Sequence, residues 1–125
     1  MAKILAADDD LSLRELMQDI LEPAGHKVTG VDGGLEALEQ LRAGGFDLAI
    51  LDVNMPMLGG MEALRMIRRD AKLKKIPVIM CTGHDTLGEI EAAFEAGASG
   101  YVVKPFGPMS LTDAVTKALA AGAPK

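Results

Sequence analysis

Five short apolar runs alternate along this chain with segments of helical period, and that alternation restricts the fold more than any other property. The runs are Lys3 to Ala7, His26 to Val31, Asp47 to Leu51, Pro77 to Cys81 and Gly100 to Val103. Strands joined through helices re-enter the sheet in the same direction, so they pair in parallel while the helices cover both faces. Leu13, Leu16, Met17, Ile20 and Leu21 fall at i, i+3, i+4, i+7 and i+8, one stripe able to pack on a sheet. Leu35, Leu38 and Leu41 repeat the pattern, as do Met61, Leu64 and Ile67, then Leu87, Ile90 and Phe94, then Leu111, Val115 and Leu119. Asp10 or Ser12 can cap the first helix. Pro23 and Gly25, Gly44-Gly45, and Gly97 stand where the first, second and fourth helices should stop. Right-handed crossovers close such a chain as an α/β (βα)5 fold, a doubly wound three-layer sandwich. Ala6-Ala7 is small for a central strand, which predicts that large helix residues such as methionines fill the space. Ala120 to Lys125 reads as a fraying tail. No second pattern is left over, so one domain spanning residues 1–125 is expected.

Composition narrows the function. The chain is 49% hydrophobic and 25% charged, which fits a globular protein rather than a disordered one. A net charge of -5 argues against direct binding of nucleic acid, which needs a basic surface to release counterions. No apolar stretch reaches the length of a secretory signal or a membrane span. The single cysteine, Cys81, is expected as a buried thiol in a strand, and with no disulfide to form, a reducing cytoplasm is the expected location.

The acidic residues carry the chemistry. In an open parallel sheet, ligands bind beyond the carboxyl ends of the strands where the winding reverses. Asp8 and Asp9 follow the first strand and Asp52 follows the third, so the three meet at one edge if those strands are neighbours. Three carboxylates in a dry pocket either take up protons or are neutralised by a divalent cation. An all-oxygen set suits Mg2+, with Mn2+ as a substitute. Taken singly, each aspartate is equally well explained as a helix cap or a solvated loop residue, and Asp10 fits that description.

Four spaced motifs resemble the receiver domain of two-component response regulators: Asp8-Asp9, the run Leu51-Asp52-Val53-Asn54-Met55-Pro56, Thr82-Gly83, and Lys104-Pro105. The resemblance spans essentially the whole chain, and the stretch from Ala96 to Phe106 is similar to the chemotaxis-type single-domain regulators. It implies a flavodoxin-like sheet of order 2-1-3-4-5, with Asp52 accepting a phosphoryl group from a phosphohistidine. It further implies Mg2+ held by Asp9 and Asp52, by Asp8 through water and by the Asn54 carbonyl, with Lys104 on a phosphoryl oxygen and a cis bond before Pro105. Thr82 and Tyr101 are implied as the two halves of a switch serving an output face of the fourth helix, fifth strand and fifth helix, Leu87 to Ala96 and Gly100 to Leu119. Asn54 and His84 would flank the path of the hydrolytic water, which gives His84 an influence on acyl phosphate lifetime. His26 has no such context and reads as a surface residue. Gly59-Gly60 is expected to shape the loop before the third helix, and Gly83 to keep the pocket mouth open.

The resemblance implies a histidine kinase or histidine phosphotransfer protein upstream, a protein target downstream, and a monomer or phosphorylation-dependent dimer. The chain would catalyse only its own aspartyl phosphorylation and dephosphorylation. Three rivals stand beside this reading. A phosphorylation-independent interaction module would keep the fold without the acidic trio, Thr82 and Lys104. An aspartyl phosphatase would want a second acid where Asn54 stands. A flavin or nucleotide binder would show itself by colour or by a shift on adding nucleotide.

Overall fold

Each apolar run forms a strand and each periodic segment a helix in the computed structural model, which describes residues 2–83 and 87–121, the side chain of Leu87 excepted. In chain order these are β1 (Lys3–Ala7), α1 (Leu11–Leu21), β2 (Lys27–Val31), α2 (Gly34–Ala43), β3 (Leu48–Asp52), α3 (Gly60–Arg69), β4 (Val78–Thr82), α4 (Leu87–Glu95), β5 (Gly100–Val103) and α5 (Pro108–Ala121). The strands form one parallel sheet in the order β2-β1-β3-β4-β5, as the resemblance implied. Winding therefore reverses between β1 and β3. Their register pairs Ala7 with Leu51, so Asp8 and Asp52 leave the sheet side by side.

Strand ends differ from the expectation by one residue. His26, Asp47 and Pro77 lie outside the strands, whereas Asp52 and Thr82 lie within them. The ladder continues because the Val53 amide donates to the Cys81 carbonyl at 2.9 Å and the Lys104 amide donates to Thr82 at 2.7 Å. His26 is half-buried rather than a plain surface residue, because its Nδ1 accepts from the Ala2 amide at 3.2 Å. Of the expected tail, Ala120 and Ala121 instead continue α5, and residues 122–125 lie outside the described residues.

Helices cover both faces. Leu5, Ala7, Leu51 and Met80 pack beneath α2 and α3, while Ile4, Ala6, Ile50 and Ile79 pack beneath α1 and α5. Burial on both faces explains why β3 and β4 are apolar without alternation, every residue of each being buried. Large residues accompany the alanines of β1: Met17 of α1 shares the cluster of Ala6, as expected, whereas Ala7 shares its cluster with Leu38 of α2, Leu64 of α3 and the loop residue Met55. Three positions of the expected stripes face solvent instead. Leu16 is 39% exposed, Leu35 44% and Phe94 45%. In each helix a smaller or neighbouring residue takes the inward place, Met17 and Leu21 in α1, Ala37 in α2 and Ala93 in α4. The strip that touches a twisted sheet is narrower than a full i, i+3, i+4 stripe.

Helix α1 begins at Asp10, whose carboxylate accepts from the Ser12 amide at 2.9 Å, which settles the choice of cap. Helices α1, α2 and α4 end close to the glycines expected to stop them. The buried face of α1 supplies a direct test. Met17→Ala should lower the free energy of unfolding by about 2–5 kcal/mol, and Leu16→Ala by less than about 1 kcal/mol. Urea denaturation midpoints at unchanged slope check this, and equal losses would contradict the assigned face.

Candidate functional site

The site lies where the winding reverses, and local chain geometry builds it. After β1, the Asp10 amide donates to Asp8 Oδ1 at 2.9 Å, and Arg14 Nη1 donates to the Asp8 carbonyl at 2.7 Å. Asp8 is thereby fixed by the loop that starts α1. After β3, the Asn54 amide faces Asp52 Oδ1 at 3.4 Å. The start of α3 presses on the same backbone: a Cβ on Gly60 would collide with the Asp52 carbonyl oxygen, so only glycine admits this approach. The Gly60 amide donates to the Val53 carbonyl at 3.0 Å, closing the loop. Gly59, by contrast, sits in ordinary extended backbone as the residue preceding α3.

One carboxylate oxygen from each of Asp8, Asp9 and Asp52 lies within 4.8 Å of the others, as the sequence predicted. Asp8 is wholly buried and Asp52 nearly so, while Asp9 is exposed. Lys104, after β5, reaches across two strands: its Nζ lies 2.9 Å from Asp8 Oδ2 and 3.3 Å from Asp52 Oδ1. The Lys104-Pro105 bond is cis.

The charges answer to one another. Burial raises the Asp52 carboxyl above its ordinary range, and Asp8 raises it further, against the pull of Lys104. Burial works against the Lys104 charge, but the two aspartates outweigh it and raise its pKa. Asp8 Oδ2 is fully buried and faces the ammonium at 2.9 Å. The oxygens of Asp8, Asp9 and Asp52 are a donor set that suits a hard divalent cation, and the Lys104 ammonium would compete with it for their charge. Cys81, paired in register with Asp52, is wholly buried, and burial pushes its thiol up to about 12, so it adds no charge beside Asp52.

The remaining predicted residues surround this centre. Thr82 is wholly buried at the end of β4. Tyr101 stands opposite Met80 on β5, and Met80 precedes Thr82 by two, so Thr82 and Tyr101 project to one face of the sheet. Tyr101 is half-buried, and with Asn54, Met61 and Glu89 it lines a cavity of about 300 Å³. A Cβ on Gly83 would meet open space, which agrees with an open pocket mouth. His84 lies outside the described residues.

Two arginines escaped the sequence reading. Arg14 anchors the Asp8 loop, and its stem lies 3.2 Å from where a Gly30 Cβ would be. The available signal was that glycine inside β2, a mark of close approach in a strand. Arg68 of α3 donates to the Gly97 carbonyl at 2.9 Å and to Ile76 at 2.6 Å, tying together the loops that lead into β4 and β5. Gly97 permits this with φ +107° and no Cβ in the path of the guanidinium. Nothing in helix periodicity marks such a residue.

The family model described as response regulator receiver domain matches residues 4–116. The chemotaxis protein CheY of Pseudomonas aeruginosa is 39% identical over 116 residues, covering 92% of this chain and 94% of the relative. The chemotaxis response regulator CheY4 of Vibrio cholerae superposes with a TM-score of 0.89 at 35% identity, covering 94% of this chain and 98% of that one. The receiver domain of the sensor histidine kinase PA1611 of Pseudomonas aeruginosa, solved with a magnesium ion coordinated in its active-site cleft, gives 0.87 at 26% identity, covering 95% and 98%.

The raised Asp52 carboxyl carries a stability prediction. A carboxyl whose pKa is higher folded than unfolded favours the fold at pH below its unfolded value, and that support is lost as pH rises through the folded value. Without metal, Asp52→Asn should therefore melt higher than the parent protein at pH 7. The gain should vanish as pH falls below the ordinary carboxylate range. Melting curves in EDTA across pH check this, and a lower melting temperature at pH 7 would contradict it.

Proposed function

The chain belongs to the response regulator receiver domain family of two-component signalling, and from that premise we propose that Asp52 is its phosphoacceptor. The observation that carries the proposal is the pairing of Lys104 with two buried carboxylates, at 2.9 and 3.3 Å, beside a third within 4.8 Å. Phosphoryl transfer asks a protein chiefly for positioning and charge neutralisation, and these groups supply both. A carboxylate oxygen of Asp52 attacks the phosphorus of a phosphohistidine. The phosphorus–nitrogen bond breaks, and the imidazole leaves with the bonding pair. Hydrolysis of the resulting acyl phosphate returns the carboxylate and inorganic phosphate, so the signal can be erased.

Asp8, Asp9, Asp52 and the Asn54 carbonyl would hold Mg2+, or Mn2+ in its place. Bound there, the ion supplies positive charge to the oxygens of the incoming phosphoryl group. Lys104 orients the same oxygens from the β5 side. Thr82, buried at the end of β4, would sense the phosphoryl group with its hydroxyl. Tyr101 would follow on the same sheet face, with the adjoining cavity as room for the ring. The output would then be read on α4, β5 and α5. In this reading residues 1–125 act as one cytoplasmic domain that modifies only itself, between a histidine kinase or phosphotransfer protein and a protein target.

Incubation with acetyl phosphate and Mg2+, followed by intact mass measurement, tests the proposal. One phosphoryl addition is expected, absent in Asp52→Asn and absent when EDTA replaces the metal. Absence of any addition, together with absence of beryllofluoride binding, would instead favour an interaction module that works without phosphorylation.

A further inference from the structure

The chain carries a net charge of -5, yet its basic residues are not spread evenly. Arg65, Arg68, Arg69, Lys72, Lys74 and Lys75 are six of its thirteen lysines and arginines, and they fall within eleven residues that hold one acid, Asp70. The rest of the chain has seven basic and seventeen acidic residues. Asp70 is itself engaged by Arg42 at 3.2 Å. The segment forms the end of α3 and the loop into β4, where Lys72, Lys74 and Lys75 are exposed and none has a carboxylate within ion-pair distance among the described residues.

This positive segment borders a groove of about 530 Å³, lined by Lys74, Lys75 and Arg68 on one side and by Phe94 and Glu95 of α4 on the other. Phe94 is 45% exposed, a large apolar surface held beside unpaired cations. Arg68 is committed to the backbone carbonyls of Lys74, Ile76 and Gly97, so it fixes the groove's shape and leaves Lys74 and Lys75 as its available charges. Glu95 opposes them on the far wall. No residue of β5 or α5 lines the groove.

We propose that this groove is a docking site for an acidic segment of a partner protein that carries an aromatic or aliphatic side chain against Phe94. Charge decides the class of partner. A bilayer or a nucleic acid presents negative charge over an area far larger than the groove and would meet the acidic remainder of the molecule. A short acidic peptide feels the local positive field alone. Phe94 supplies the apolar anchor on which such interfaces concentrate their binding energy, and the lysines supply steering and register. The groove is separate from Asp52, and its lysines lie on the loop into β4, outside the proposed output face, which it borders through Phe94 and Glu95 of α4.

The test uses the full chain labelled with 15N, titrated with a synthetic peptide of glutamates flanking a central Leu-Phe pair. Saturable shifts confined to Lys74, Lys75 and the Phe94 to Gly97 segment are expected, weakening as salt is raised. Lys74→Glu combined with Lys75→Glu should weaken binding by at least about tenfold with phosphorylation by acetyl phosphate unchanged, and Phe94→Ala should weaken binding by several-fold. Poly-glutamate of equal charge should bind more weakly than the Leu-Phe peptide. The proposal is overturned if no saturable shift appears, if the shifts centre elsewhere, or if a DNA duplex or phosphatidylglycerol vesicles bind the groove more tightly than the peptide.

Discussion

A single ammonium holds two buried carboxylates at the point where the sheet reverses its winding, and much of the molecule is arranged to keep it there. Lys104 comes from β5, Asp52 from β3 and Asp8 from the end of β1, so the contact spans four strands and exists only when the sheet is complete. Removed from water, two like charges so close would repel strongly, and a single ammonium answers only part of that repulsion. The Asp52 carboxyl is raised by burial first and by Asp8 second, with Lys104 pulling the other way. A centre left short of positive charge is suited to recruit a divalent cation.

The surroundings follow from that requirement. Asp52 needs its backbone fixed, and Gly60 allows α3 to start against its carbonyl. Asp8 needs its loop fixed, which Arg14 and the Asp10 amide do. Neighbours on the sheet must not compete for charge, and Cys81, neutral and wholly buried, does not. Thr82 and Tyr101 share a sheet face through the β4–β5 register, which joins the end of β4 to the far edge of the sheet. The proposed two-state switch would need such a contiguous element with room to rearrange, and a cavity of about 300 Å³ adjoins Tyr101.

Most of this was legible in the sequence because the decisive residues sit at strand ends. An apolar run followed at once by an acid, a threonine or a Lys-Pro pair announces both the strand and what its carboxyl end carries. The parallel sheet and its two covered faces followed from periodicity, whereas the strand order came from family resemblance. Sequence reading faltered where tertiary contact overrides local pattern. Leu16, Leu35 and Phe94 match their helical stripes but face solvent, because the curvature of the sheet, not the helix period, decides which positions touch it. Arg68 was invisible for a related reason: a guanidinium tying distant backbone carbonyls leaves no periodic trace. Asp52 and Thr82 joined their strands because neighbouring amides extended the ladder, information held in the partner strand.

The central claim is that Asp8, Asp9 and Asp52 form a centre whose negative charge Lys104 only partly offsets. Calorimetric titration of the unphosphorylated protein with Mg2+ at pH 7 addresses it most directly. The account predicts one saturable site per chain, lost on Asp8→Asn or Asp52→Asn and retained on Lys104→Met. Absence of saturable binding, or binding that survives both aspartate substitutions, would contradict it.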